Sequence, residues 1–216
     1  MNLQISHSPE AIQRRAKRRR LTQRLGYSAL TLAALITVAP IVLIVAFVAW
    51  KGMPAISWEF LSGFPRDGMR AGGILPAIMG TFWLTLGTGL IAVPLGVGAA
   101  IYLAEYAPDN RWTRAIRVAI INLAGIPSVV YGLFGLGLFV LFLRFGTSLL
   151  AGSLTLAIMT LPVIISTSEQ AIRAVPNSFR VVSISLGGTK WQTIRRITLP
   201  QALPGILTGV ILGLER

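Results

Sequence analysis

Between Val175 and Pro200 the chain carries residues whose types and spacing suit gripping another surface. Val175, Phe179, Val182 and Leu186 recur at helical spacing and form one apolar stripe, with Ser183 beside it. Gly187-Gly188 breaks that helix. A second short amphipathic piece follows, with Trp191, Ile194 and Ile197 on one side and Lys190, Arg195 and Arg196 available to water. The chemistry on offer is burial of an apolar face rather than bond-making. Two readings stay open on the pattern alone: a helix lying in a membrane interface, or a knob that docks into a groove on a partner protein. Glu215 and Arg216 form a second candidate, because they close an apolar run, Ile197–Leu214. A charge within a bilayer is tolerated chiefly where it faces a polar interior such as a pathway. Arg66, Asp67 and Arg70 form a third, a charged cluster beside Gly72-Gly73 that is either a contact site or a solvated loop.

Catalytic and cofactor chemistry finds little to work with. The chain has no cysteine, and its one histidine, His7, sits in a polar tail, so thiol-ligated and His-based metal centres are not expected. No cofactor is expected either. No G-x-x-x-x-G-K-[ST] loop is present, and Gly187-Gly188-Thr189-Lys190 has the wrong order to cradle nucleotide phosphates. The chain is not expected to hydrolyse ATP.

The elements that must position these residues are apolar and long. Leu25–Trp50, Ala71–Ala104, Val118–Leu143 and Phe145–Ser168 lack any charge. About 20 helical residues at about 1.5 Å each cross a bilayer core about 30 Å thick. With 54% hydrophobic residues, 12% charged and a mean hydropathy of +0.71, a soluble core would not hide four such runs. Continuous rather than alternating runs favour helices, since lipid offers no partner to an unpaired backbone amide. The expected fold is an all-α polytopic membrane bundle. Ala92, Gly96 and Ala100 lie four apart on the second span, a small-residue face for close helix approach. Pro94, Pro127 and Pro162 recur inside successive spans, either as ordinary kinks or as bends around a pathway. Gly125-Ile126-Pro127-Ser128 should bend or unwind the third span. The fifth run starts near Pro204 and reaches Arg216 past the bilayer midplane, so the sequence is expected to be a shortened form of a longer protein, five spans begun of six.

A net charge of +13 could suggest nucleic acid, but its distribution does not. Arg14, Arg15, Lys17, Arg18, Arg19, Arg20 and Arg24 directly precede the first span, with no aromatic residues interleaved. Strict alternation puts them on the same side as Arg111, Arg114, Arg117, Arg173, Arg180, Lys190, Arg195 and Arg196. Only Lys51, Arg66, Arg70 and Arg144 fall opposite. That asymmetry follows the positive-inside rule, placing the N-terminus in the cytoplasm in contact with anionic lipid. Residues 1–26 read as a mobile basic tail, 27–73 as the first span with an external loop, and 74–216 as the main transmembrane domain with a cytoplasmic loop at 173–203. Pro200 is expected to end that loop.

Gly187, nine intervening residues, then Ile197-Thr198-Leu199-Pro200 resembles the G-x9-I-x-L-P part of the "EAA" loop of ATP-binding-cassette importer permeases. Val181-Val182-Ser183 stands where that family usually has Glu-Ala-Ala. Arg66–Ile74, Ile101–Tyr106 and Ile126–Gly135 are similar to segments of the A-type permease subunit of phosphate importers. The resemblance covers about residues 50–216 and implies a type I importer (MetI-like) fold. It implies that Phe179, Val182, Ser183, Leu186, Gly187, Trp191, Ile197, Leu199 and Pro200 belong to the loop that fits a groove on an ATPase subunit. It further implies a bacterial inner membrane, a second permease as a heterodimer mate, two ATP-binding subunits, and an external phosphate-binding protein. Arg216, with Glu215, would lie near the pathway, where a guanidinium suits phosphate through paired donors. A self-sufficient secondary transporter and a non-transporting membrane scaffold remain the alternatives.

Overall fold

The computed structural model describes the backbone of residues 9–215 and the side chains of residues 23, 24 and 26–215. The chain divides into two compact units, the first reaching Leu75 and the second running from Pro76.

In the first unit, helix α1 spans Pro9–Gly52. Residues 9–26, part of the expected basic tail, form its first turns. Pro9 is pre-set for an initial helical position, and the Ala, Arg, Lys, Gln and Leu residues that follow are good helix formers with no breaker among them. The side chains from Gly26 to Ala55 are exposed on every face, and this stretch is long and apolar enough to cross a membrane. A short helix, α2 (Trp58–Ser62), starts at Ser57, whose Oγ accepts from the Phe60 N–H at 3.1 Å. Strands β1 (Pro65–Arg66) and β2 (Ala71–Gly72) then pair antiparallel, Pro65 opposite Gly72.

The second unit is a helical bundle. Its elements are α3 (Leu75–Ile101), α4 (Arg111–Ala124), α5 (Ser128–Gly135), α6 (Leu149–Ala174), α7 (Asn177–Ser185), α8 (Lys190–Thr193) and α9 (Leu199–Leu214). The core lies where α3, α6 and α9 meet. Ala100, Ile172, Val175, Ala202 and Ile206 form one buried cluster, and Ala92, Ala157 and Ile164 another. The small-residue face of α3 is at the centre of both: Ala92 and Ala100 are fully buried, and a Cβ on Gly96 would stand 2.7 Å from Ile164 Cγ2. Gly213 of α9 faces the same isoleucine from another side, where an added Cβ would stand 2.6 Å from Cγ1. Ile164 is therefore a knob seated between two glycines.

Three π-helical turns punctuate the bundle: Tyr102–Tyr106, Leu136–Phe142 and Ile194–Thr198. Residues 118–143 carry the bend expected at Gly125-Ile126-Pro127-Ser128, and it is sharp: α4 and the Ser128–Phe142 helix meet at 96° across Gly125–Pro127. The Tyr131 hydroxyl donates at 3.0 Å to the Leu123 carbonyl, which also accepts the Ile126 N–H at 3.1 Å, so the helix beyond the bend is tied back to the end of α4. Pro94 and Pro162 lie inside α3 and α6, so the sharp break falls at Pro127 alone of the three. Pro200 lies in the first turn of α9. The Leu199 N–H bonds Ile194 O five residues back, so the missing Pro200 donor falls where the ladder has already shifted register. Helix continues through Pro200 and Pro204, making Lys190–Leu214 a single 25-residue element long and apolar enough to cross a membrane.

Candidate functional site

The Val175–Pro200 segment folds as two helices around a defined corner. Val175 is buried in the bundle core and anchors the start. Beyond it α7 turns Phe179, Val182 and Leu186 outward, and Leu186 is 84% exposed. The corner at Gly187 is a Schellman motif: the Gly187 N–H bonds Ile184 O at 2.9 Å and the Gly188 N–H bonds Ser183 O at 3.0 Å. Gly187 has φ +81, the left-handed region where a side chain is strained. Gly187→Ala should cost about 1 kcal/mol, read as a small fall in the detergent-solubilised melting temperature; Gly188→Ala should exceed it, because its Cβ would meet the Ser183 carbonyl oxygen at 2.9 Å.

Helix α8 starts with a capping box. Thr189 Oγ1 accepts from the Gln192 N–H at 3.2 Å, and Gln192 Oε1 accepts from the Thr189 N–H at 2.9 Å. The Ser183 and Thr193 hydroxyls share a 2.8 Å hydrogen bond that ties α7 to α8. Between the two helices lies a groove of about 440 Å³ lined by Phe179, Val182, Leu186, Gly188, Gln192 and Ile197. Trp191 stands beside it, 57% exposed. The sequence-predicted residues thus converge on one apolar face, except that Leu199 is half-buried in the helix beyond and Pro200 lies inside it.

What holds this face in place was not visible in the pattern. Arg180 donates through Nη2 (2.7 Å) and Nε (3.0 Å) to Glu105 Oε1, and through Nη1 and Nη2 to the carbonyls of Val175 (2.7 Å) and Ile172 (2.9 Å). Glu169, buried in α6, accepts from Arg117 Nε at 2.7 Å and Arg173 Nε at 2.9 Å through one oxygen. Their spacing alone marks these arginines only as topological charges. Their partners lie 52 and 75 residues away in sequence for Arg117 and Arg180, beyond any periodicity.

The remaining candidates belong to other elements. Arg66, Asp67 and Arg70 are exposed on the hairpin of the first unit, with Asp67, Gly68 and Met69 all at positive φ. Glu215 is exposed at the end of α9, and Arg216 lies outside the described residues.

The family model described as "Binding-protein-dependent transport system inner membrane component" matches residues 92–215, which include the groove and its supports. The chain belongs to that family. It is an all-α, multi-pass membrane transport component, not an enzyme, and it works with other components of such a transport system. It is 35% identical over 198 residues to "Probable ABC transporter permease protein YqgI" of Bacillus subtilis (strain 168), covering 92% of this chain and 67% of that one. To "Probable ABC transporter permease protein YqgH" of the same organism it is 40% identical over 214 residues, with 92% and 69% covered. To "Phosphate transport system permease protein PstA" of Mycobacterium leprae (strain TN) it is 34% identical over 203 residues, with 92% and 66% covered. The family match spans every residue of the loop, including the Val181-Val182-Ser183 departure.

Proposed function

We propose that this permease is the A-type membrane subunit of an ATP-driven importer of inorganic phosphate. Several of its relatives carry the name of phosphate transport permeases. It forms half of the translocation pathway with a second permease, receives phosphate from an external binding protein, and is driven by two ATP-binding subunits. Arg216, with Glu215, is the proposed phosphate contact in the pathway, since a guanidinium matches an oxyanion with paired donors. The observation that carries the coupling role is the exposed apolar groove on the α7–α8 corner, which presents Phe179, Val182 and Leu186 from a rigidly capped scaffold. A helix pair of this kind suits insertion into a complementary cleft. The positive-inside asymmetry places the corner and the N-terminus in the cytoplasm, with the Arg66–Arg70 hairpin outside as the contact for the binding protein.

The test is co-purification with the ATPase subunit and ATP-driven phosphate uptake in proteoliposomes. Leu186→Asp should weaken capture of the ATPase subunit by about 30-fold, the scale of a 2 kcal/mol interface hot spot, and abolish uptake. Phosphate movement by the chain alone, with no ATPase subunit present, would overturn this reading in favour of a secondary transporter.

A further inference from the structure

Four cations from four different helices converge on the five-residue π turn Tyr102–Tyr106 at the end of α3. Arg180 of α7 is paired with Glu105, whose side chain is only 8% exposed. Lys190 of α8 places its ammonium 4.7 Å from the centre of the Tyr106 ring. Arg117 of α4 and Arg173 of α6 donate to the Leu103 carbonyl at 2.9 and 3.3 Å. The π register explains why that carbonyl is available. The Ala107 N–H, which in an α-helix would bond Leu103 O, bonds Tyr102 O instead at 2.8 Å.

The two contacts from the loop fall on opposite sides of its corner, Arg180 before Gly187-Gly188 and Lys190 after it. Both pieces of the docking face are therefore pinned to the same five residues. Arg180 also holds the Ile172 and Val175 carbonyls, so α7 cannot shift without either dragging Glu105 or leaving a buried carboxylate unpaired. α9 is joined to the loop covalently as one continuous helix; α3 is joined to it through this turn.

We propose that the Tyr102–Tyr106 π turn is the junction that passes movement of the α7–α8 corner into α3, with Glu105 as the main positioning residue and Tyr106 as the second. The inference rests on the reading of the corner as the ATPase docking face. Its direct test uses the full-length complex with its partner subunits in proteoliposomes. Glu105→Gln should lower phosphate transported per ATP hydrolysed by about tenfold, the size of a 1.4 kcal/mol coupling, while the complex stays assembled. Tyr106→Leu should lower it about threefold, in line with a partly exposed cation–π contact. In a double-mutant cycle, Arg180→Gln should add little to Glu105→Gln, as expected of one unit. An unchanged transport-to-ATP ratio in both single variants, or simple multiplication of the two losses in the cycle, would overturn it.

A second readout needs neither phosphate nor ATP. Amide hydrogen exchange should accelerate at the end of α3 as well as in α7 when Arg180→Gln is introduced. Unaltered protection of α3 would overturn the junction whatever the complex transports. Failure of the unsubstituted complex to take up phosphate would instead count against the function proposed above.

Discussion

Glu169→Ala should destabilise the bundle by about 3 kcal/mol, the lower end of the range for removing one partner of a buried ion pair. The lower end applies because the Arg117 side chain retains 22% exposure. One oxygen of Glu169 serves both Arg117 and Arg173, and losing it leaves two guanidiniums pointing at each other's neighbourhood. For a chain of this size the melting temperature should fall by about 6–12 °C. Arg173→Ala should cost far less, about 0.2–1 kcal/mol, because its side chain is half exposed and its pairing is an i,i+4 contact along α6. Thermal unfolding of the two variants in the same detergent checks the ordering. Equal shifts would mean that Glu169 is not the buried centre of the group.

Gly96→Val should disrupt packing of α3 on α6 by about 3 kcal/mol, the upper end of ordinary overpacking. The new Cβ would press on Ile164, which Gly213 already holds from another side, so the isoleucine has no direction in which to retreat. Adding Ile164→Ala should restore part of the loss, although Ile164→Ala alone should cost about 2–5 kcal/mol through the cavity it leaves. That sign reversal between backgrounds is the signature of direct contact. If Gly96→Val unfolds too readily to measure, Gly96→Ala provides the same comparison with a smaller clash.

The apolar runs and the small-residue face of α3 were legible because both depend on local spacing. Leu25–Trp50 and Phe145–Ser168 fall within α1 and α6 almost throughout, and Ala92, Gly96 and Ala100 sit against their partners as their period of four implies. Gly187 was legible because a left-handed corner strongly favours glycine. Other features depended on interactions that spacing does not encode. Pro200 reads as the end of the loop, but spacing does not show that the π turn before it removes the hydrogen bond it would have broken and so lets helix run on from Lys190. The bend in Val118–Leu143 was legible in Gly125-Ile126-Pro127-Ser128, but the amphipathic helix that begins at Arg111 was not, because its charges lie outside the charge-free run. Glu105 and Glu169 could have been noticed as acidic residues flanking apolar runs in a chain with only seven acids, but their arginine partners are set by the tertiary fold.

The unbroken run from Lys190 to Leu214 has a mechanical consequence. Its 25 residues form a rod about 37 Å long at about 1.5 Å per residue, with the docking corner at one tip. If the rod pivots at one tip, a tilt of about 10° carries the other through about 6 Å, comparable to the diameter of a hydrated oxyanion. On the proposed reading of the corner as a docking face, a subunit seated there needs to tilt the rod by no more than that angle.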